Sequence, residues 1–206
     1  NELKLKEVAT WGRPMAEEHF ASKSWRDDWI AAKGEWTADR GRFVTAEGKG
    51  NKFCLLHRRK LYGPTAIEFD AEMLPGFPEC DLSVVWCQGD DLGDTNSYYL
   101  LQTGAFENTC ALISKADKIC LSYSDQVLQP GRRYRIRAEI ENCRLSLSID
   151  GATVCEYEGV FPLSGGRIGL YGYFPGKAFG NTRIYSKGVP EKIPINGVGD
   201  SYFARR

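Results

Sequence analysis

Three acidic residues, Glu68, Asp70 and Glu72, alternate with apolar residues in this chain of 206 amino acids. If the segment is a strand, the three carboxylates share one face, with neighbours about 6.7 Å apart at Cα. A retaining glycosidase uses two carboxyl groups about 5–5.5 Å apart, one of them with a raised pKa, and long glutamates on a curved sheet could converge to that distance. The alternative is a strand with one solvated face, whose charges are compensated by arginines such as those of residues 133–137. The pattern favours the solvated strand and leaves the catalytic cluster open.

A second set of polar and aromatic residues lies on the predicted strand 167–173. Arg167, Tyr171 and Tyr173 share one face of this strand, and its two branched apolar residues share the other. If the apolar pair faces the core, the two tyrosines point outward. A sugar packs its CH faces on such rings while its hydroxyl groups bond to polar side chains. The strand is therefore predicted to contribute a carbohydrate-binding surface.

Four residues from other segments are predicted to join this surface: Trp86, Tyr99, Gln102 and Asn108. The apolar run at 82–86 is nearly continuous, so alternation does not decide which face Trp86 occupies. Aromatic residues of a sandwich more often belong to its core, and a core position is the alternative for each ring of the set.

An acidic loop at residues 89–96 could hold a metal ion. Its carboxylate and amide oxygens, from Asp90, Asp91, Asp94 and Asn96, are of the type that Ca²⁺ prefers. The alternative is an ordinary turn-rich connection, because aspartate, glycine and asparagine are the usual residues of turns. A structural Ca²⁺ is the one ion that the sequence predicts, and no pattern in it requires a cofactor.

Alternating apolar and polar residues predict the scaffold that positions these sites. Between Gly34 and Gly188, strand patterns follow one another with turn residues between them, about a dozen in all, and sustained helical periodicity is absent. Strands with one apolar face form antiparallel sheets, and so many in one domain predict two stacked sheets. The expected fold class is all-β, a sandwich of two antiparallel sheets with little helix.

The two ends are expected to differ from this sandwich domain at 34–190. Residues 1–33 mix charges with three tryptophans and are predicted to pack on the sandwich. Residues 191–206 look like the opening turns of a helix, similar to the first helix of a tetratricopeptide-type repeat. We expect the chain to be one module of a longer protein, with other domains of that protein as partners.

Charge and cysteine content restrict the classes of partner and compartment. The 27 basic residues balance the 27 acidic ones, so no long-range field gathers nucleic acid or an anionic membrane, and neither is expected as a partner. The seven cysteines include no Cys-x-x-Cys pair and are interpreted mostly as small buried side chains. This cysteine usage favours a reducing compartment.

One hairpin can be placed residue by residue from its two-residue Asp-Gly turn at 150–151. The turn predicts that Leu147 faces Val154 and that Cys155 faces Ser146. In this register Cys143 and Cys155 lie on opposite faces, so they cannot form a disulfide with each other.

The chain as a whole resembles the concanavalin A-like, or laminin G-like, β-sandwich families, in particular the bacterial group of 3-keto-disaccharide hydrolase-like and family 16 glycoside hydrolase-like domains. The similar segments are 34–43, 97–109, 148–152, 166–172 and 179–185. The resemblance spans most of the chain, from Trp25 to Gly188, and implies a jelly-roll sandwich whose concave sheet often holds glycans. Many members of this fold also carry Ca²⁺ at a loop. The resemblance bears on fold more than on function, because the scaffold hosts lectins, hydrolases and interaction modules.

The order Glu-x-Asp-x-Glu at 68–72 resembles the signature of family 16 glycoside hydrolases. The resemblance implies that Glu68 is the nucleophile, that Asp70 adjusts the charge of its neighbours, and that Glu72 is the acid/base. The chain departs from the family in the preceding residues, 61–66, which lack the usual aromatic-rich segment.

These patterns lead to three hypotheses for function. The first is a carbohydrate-binding, lectin-like module that recognises an oligosaccharide or polysaccharide on the concave sheet. The second is a glycoside hydrolase or related sugar-cleaving enzyme that uses Glu68, Asp70 and Glu72. The third is a protein-interaction module of a larger multidomain protein.

Overall fold

The computed structural model describes residues 11–21, 25–46, 51–87, 98–160 and 165–187. The strands in these ranges are β1 (Ala16–Glu18), β2 (Trp29–Lys33), β3 (Trp36–Asp39), β4 (Arg42–Thr45), β5 (Lys52–His57), β6 (Thr65–Met73), β7 (Ser83–Cys87), β8 (Tyr98–Gly104), β9 (Cys110–Lys115), β10 (Ile119–Ser124), β11 (Arg133–Glu141), β12 (Arg144–Ile149), β13 (Ala152–Glu158), β14 (Arg167–Tyr173) and β15 (Lys177–Ser186). Two short helices accompany them, α1 (Trp25–Asp28) and α2 (Ala105–Asn108). In the described ranges, no helix is long and apolar enough to cross a membrane.

The strands form two antiparallel sheets. Sheet A has the order β13-β12-β11-β6-β15-β4-β3, with β1 pairing to β15 beside this path, and sheet B has the order β10-β9-β8-β7-β14-β5-β2. The predicted all-β sandwich of two antiparallel sheets is confirmed, with fifteen strands in the described ranges where alternation predicted about a dozen. The extra strands include β1 and β2, which precede the segment from Gly34 to Gly188 in which alternation predicted strands.

Alternating side chains of sheet A build one half of the core. On β6, Ile67, Phe69, Ala71 and Met73 are buried, whereas the acidic residues between them are partly exposed. β11 repeats the pattern, and its register sets Ile136 beside Phe69. Burying each large apolar side chain stabilises the fold by about 1.5–3 kcal/mol. The same alternation places the charged residues of both strands on the outer face.

The central strands of sheet B are buried on both of their faces. One face, which includes Val84 and Leu170, joins the core between the sheets. The other, outer face carries a separate buried cluster formed by Cys54, Leu56, Val85, Cys87, Tyr98, Leu100, Ala116 and Tyr171. Strands buried on both faces lose the alternation of polar residues, which explains the continuous apolar run at 82–86.

All seven cysteines lie in the described ranges, and none forms a disulfide. Five of them, Cys54, Cys80, Cys87, Cys110 and Cys155, are buried. Burial raises the pKa of the Cys80 thiol to about 12 and that of Cys155 to about 11. Thiols with such pKa values remain protonated at neutral pH and are poor nucleophiles.

The hairpin between β12 and β13 contains a bulge, and its register therefore differs from the predicted one. Ile149 pairs with Ala152 as predicted, but the register then shifts and Leu147 pairs with Cys155. The predicted pairings of Leu147 with Val154 and of Ser146 with Cys155 are therefore both wrong, and Ser146 pairs with Glu156. A bulge adds one unpaired residue to one strand, and here it places Cys155 in the core with 3% of its surface exposed.

The described residues before Gly34 pack on both sheets. β1 pairs with β15 of sheet A, and β2 pairs with β5 of sheet B. Phe20 and Trp25 pack edge-on against Phe43, with ring centroids 4.2 and 4.5 Å apart. Such aromatic pairs contribute about 0.5–1.5 kcal/mol beyond the area that they bury. The aromatic cluster thus joins the N-terminal segment to β4.

Candidate functional site

The three acids of β6 lie on the outer face of sheet A, where arginines accompany each of them. Asp70 accepts a hydrogen bond from Arg135 at 2.8 Å, and Glu72 accepts one from Arg42 at 2.9 Å. Glu68 also bonds to Arg135, and Arg137 donates to its second oxygen at 3.1 Å. The side chains of the three acids are 17–22% exposed.

The arginines decide the ionisation of Glu68. Burial alone would raise the pKa of this carboxyl group, but hydrogen bonds and charges from Arg135 and Arg137 outweigh burial and hold its pKa below the usual value. A catalytic acid needs a carboxyl group with a raised pKa near its partner. We call the three acids and the arginines bonded to them, Arg42, Arg135 and Arg137, the ladder. The ladder agrees with the solvated-strand interpretation, in which neighbouring strands compensate the charges of β6.

Replacing Arg135 by alanine is expected to lower the free energy of unfolding by about 1–3 kcal/mol at pH 7, because Glu68 and Asp70 both lose a partly buried cationic partner. A group with a lowered pKa stabilises the fold above its ordinary pKa and loses that contribution as pH falls. The difference should therefore shrink below about pH 4.5, the ordinary value for Glu68.

Chemical denaturation at several pH values measures this effect. The matched control is Arg144→Ala, which breaks a pair with Glu156 whose side chains are 49% and 43% exposed, and should change stability by about 0.5 kcal/mol or less. Equal effects from both variants would mean that the ladder is no more than a set of surface ion pairs.

Asp70 and Glu72 also line a cavity of about 460 Å³ on this face. Asn181 donates to Asp70 at 2.6 Å, and the floor includes the small residues Ala178 and Gly180. Both carboxylates of the cavity thus accept hydrogen bonds from donors of the chain.

The tyrosine-bearing strand β14 lies in sheet B, on the other side of the sandwich. Ile168 and Leu170 face the core, as the alternation predicted, and Tyr171 belongs to the outer cluster. Gly169 serves the packing of the sheet, because a Cβ there would approach the Leu55 carbonyl oxygen to 2.1 Å. The structure therefore separates the acids from the tyrosines by the full thickness of the sandwich.

A pocket of about 210 Å³ opens on the outer face of sheet B. It is lined by Lys33, Lys52, Tyr98, Leu100, Ala116, Asp117, Lys118 and Tyr171. Tyr98 and Tyr171 are 8% and 5% exposed, and within the described part of the chain neither hydroxyl has a hydrogen-bond partner. Burial raises the pKa of both hydroxyls, so each remains neutral and can both donate and accept a hydrogen bond.

The outer face of sheet B is concave around this pocket. Lys52 begins β5 and Asp117 follows β9, and these strands are four steps apart in the sheet order. At about 4.8 Å per step the separation along a flat sheet would be about 19 Å. The Lys52 ammonium nevertheless lies 3.4 Å from the Asp117 carboxylate. Long side chains alone do not span that difference, so the sheet curls toward this side.

Polar groups continue this face next to the pocket. The register places Ser83 beside Tyr171, and the buried Ser83 hydroxyl lacks a hydrogen-bond partner among the described residues. Ser114 donates to the Gln102 carbonyl oxygen at 3.0 Å, and the Gln102 amide donates to Asp81 at 3.3 Å. Buried polar groups are normally paired, and the fully buried Ser83 hydroxyl is an exception.

Asp81 is the acidic end of this network. It is 4% exposed, and burial raises its pKa to about 7, with the charge of Asp117 acting in the same direction. The hydrogen bond from Gln102 and the charge of Lys177 act the other way. Asp81 therefore carries a proton through most of the acidic range.

The structure keeps three of the predicted surface residues away from the pocket. Trp86 lies in the core at 1% exposure, and Tyr99 packs on the inner side of sheet B. Asn108 donates to the Leu128 carbonyl at 2.6 Å and accepts from its N–H at 2.9 Å, so it fixes a loop. A buried position between the sheets leaves Trp86 no surface for a ligand.

The other predicted residues lie around the pocket or outside the described ranges. Tyr173 lies at its rim, with its ring centroid 5.9 Å from the Lys52 ammonium. Arg167 lies four residues, or about 13 Å, from Tyr171 along β14 and donates to the Arg58 carbonyl at 3.1 Å. The predicted calcium ligands Asp90, Asp91, Asp94 and Asn96 lie outside the described residues, as does the tail 191–206. Within the described ranges, His, Cys, Asp and Glu form no group of three that could hold a metal ion.

The sequence patterns missed Tyr98 and the lysines of the pocket. Tyr98 and Tyr99 are adjacent, and alternation alone does not tell which of them faces outward. Lys33, Lys52 and Lys118 come from distant segments, and no local motif joins them. Finding these pocket residues from the sequence would have required a prediction of the order of the strands in sheet B.

No protein-family model matches the chain, and no curated protein matches it in sequence. Solved structures do match it over most of its length. The carbohydrate-binding module CBM66 from Bacillus subtilis has a TM-score of 0.63 and 16% identity, and the match covers 77% of this chain and 96% of that one. Lectin I-B4 from Griffonia simplicifolia has a TM-score of 0.64 and 11% identity, over 84% and 100% of the two chains.

A protein of unknown function with a galectin-like fold, also from Bacillus subtilis, has a TM-score of 0.67 and 13% identity, over 85% of this chain and 96% of that one. Identities this low bear on the fold alone. The two antiparallel sheets of the chain and its similarity to these solved structures agree with the fold that the sequence resemblance implied. The chain therefore has the concanavalin A-like β-sandwich fold, which it shares with carbohydrate-binding and lectin-fold domains.

Proposed function

We propose that this domain binds a carbohydrate in the pocket on the concave outer face of sheet B. The observation that carries the proposal is the pair Tyr98 and Tyr171, whose rings line the pocket and whose hydroxyls lack partners within the described chain. An aromatic ring offers an apolar surface to the CH groups of a sugar, and a free hydroxyl bonds to its hydroxyl groups.

The size and polarity of the pocket support one sugar ring at its base. A volume of about 210 Å³ is small beside the roughly 300–1,000 Å³ of sites for drug-sized ligands. Leu100 and Ala116 add apolar side chains to the lining. Further rings of a longer glycan would extend over the rim near Tyr173.

Binding is favoured over hydrolysis by the carboxylates available at the pocket. Asp117 lines it in an ion pair with Lys52, and Asp81 is bonded to Gln102 beside it. Glu68, Asp70 and Glu72, which the resemblance assigns to glycoside cleavage, lie on the opposite sheet and are bonded to arginines. A glycosidase needs two carboxyl groups that flank one bond, and the described residues of this pocket do not form that arrangement.

Tyr171→Phe and Tyr98→Phe should each weaken glycan binding about 3- to 10-fold, because each removes one hydroxyl partner of the sugar and keeps the ring. The measurement is an oligosaccharide array followed by calorimetry on the best ligand. Tyr185→Phe is the matched control, since this tyrosine lies on β15 of sheet A near Arg137. No bound glycan, or losses that are equal for Tyr185→Phe, would overturn the proposal.

A further inference from the structure

We infer that the ligand is an anionic sugar, one that carries a carboxylate or sulfate group on its ring. The inference deepens the proposed function and rests on it. Among the described residues, three lysines surround the two tyrosines of the pocket, and one acidic residue, Asp117, lines it. For these residues, three cations against one carboxylate leave an excess of two positive charges at the opening.

Two of these lysines have no acidic partner among the residues that the structure describes. Lys52 is paired with Asp117 at 3.4 Å. Neither Lys33 nor Lys118 forms an ion pair with any residue of the described chain. Lys33 ends β2 and is partly exposed, and Lys118 is exposed in the turn before β10. Both ammonium groups are therefore available to a ligand at the rim.

This local excess of positive charge contrasts with the charge balance of the chain as a whole. The chain carries equal numbers of basic and acidic residues. On the outer face of sheet A, Arg42 pairs with Glu72, and Arg135 pairs with Asp70. The lysines of the pocket come from both edges of sheet B, and the curl of the sheet brings them together around one small opening. An anionic ligand gains from that convergence a charge–charge attraction that a neutral ligand lacks.

The geometry suits an anionic group on a ring seated over the tyrosines. Lysine ammonium groups are compact charges on flexible stems, so they can reach anionic groups at different positions of a ring. Hydrogen bonds between an ammonium group and a carboxylate or sulfate are charge-assisted and stronger than neutral ones. Carboxylates and sulfates share this chemistry, and the experiment below separates them.

The test compares matched neutral and anionic sugars by calorimetry at low salt. One arm pairs trigalacturonate with galactotriose, and the other pairs N-acetylglucosamine 6-sulfate with N-acetylglucosamine. We expect the anionic member of at least one pair to bind about 10-fold or more tightly than its neutral partner. That advantage should shrink in 0.5 M salt, where screening shortens the reach of the charges.

Lys33→Gln and Lys118→Gln should each reduce the affinity for the anionic sugar about 5-fold, a larger loss than either variant causes for the neutral sugar. Lys115→Gln is the control, because this lysine lies 5.8 Å from the ring centroid of Tyr99, away from the pocket. Equal affinity for both members of each pair, or anionic binding that Tyr171→Phe does not weaken, would overturn the anionic assignment. Binding of neutral sugars that depends on Tyr171 would leave the proposed function intact, whereas no binding of any sugar would refute both.

Discussion

Replacing Phe43 by alanine should lower the free energy of unfolding by about 3–5 kcal/mol. Phe43 is fully buried, and its ring packs against Phe20, Trp25 and Trp36 with centroids 4.2, 4.5 and 5.8 Å away. Alanine removes the contacts of three rings at once and leaves a cavity that rigid indoles cannot fill. The N-terminal segment also loses its main contact with β4.

Urea denaturation followed by tryptophan fluorescence measures this change, since two of the neighbouring rings are tryptophans. Phe106→Ala is the matched control, because Phe106 is 72% exposed. The control should change stability by about 0.5 kcal/mol or less. A loss below about 1 kcal/mol for Phe43→Ala would mean that the aromatic cluster does not tie the N-terminal segment to the sandwich.

Replacing Asp81 by asparagine should stabilise the protein at pH 8, by up to about 4 kcal/mol, and should have little effect near pH 4. Burial raises the pKa of this carboxyl group from 3.8 to about 7. Protonated Asp81 makes its full contribution to the free energy of unfolding below about pH 4. This contribution is lost as the pH rises to about 7, because the unfolded chain releases the proton at a lower pH than the folded protein does. Asparagine keeps the shape and the bond from Gln102 without a charge to bury.

Unfolding curves at pH 4.5, 6 and 8 test this prediction through the difference between wild type and Asp81→Asn. Lys177, whose pKa burial lowers to about 8, and Asp117 are the charged groups that influence Asp81. Attraction to Lys177 reduces the gain from the variant, and repulsion from Asp117 increases it. A difference that does not vary with pH, or a variant that is less stable at pH 8, would contradict the raised pKa of Asp81.

Sheet A could be predicted from the sequence because its strands are buried on one face. The alternation on β6 and β11 reflects one solvated side, and the structure keeps that alternation. The common face of Glu68, Asp70 and Glu72 could be predicted in the same way, because every second residue of a strand points to the same side. Whether such a face is catalytic depends on the partners that other strands supply, and local spacing does not contain that information.

Sheet B could not be oriented from the sequence, because both of its faces are apolar. β8 begins with two tyrosines followed by two leucines, so either register gives the same apolar pattern. In the structure Tyr98 faces the pocket and Tyr99 faces inward. For the same reason, the sequence does not decide which face of β7 carries Trp86.

Two further features could not be predicted from the alternation of residues. The bulge opposite Leu147 does not change the alternating pattern, so the turn alone predicts a register that is one residue off. The pocket joins lysines from residues 33, 52 and 118, which only the strand order and curl of sheet B bring together. Long-range topology thus determines the candidate site, whereas local periodicity determines the fold class.

The most direct test of the proposed site is to locate a bound oligosaccharide by NMR. The ¹⁵N-labelled protein is titrated with the best ligand from the array, and perturbed backbone amides are mapped on the two sheets. The account predicts that the largest shifts centre on Ser83, Tyr98, Leu100 and Tyr171 of sheet B. Shifts centred on Asp70 and Glu72 of sheet A would contradict it.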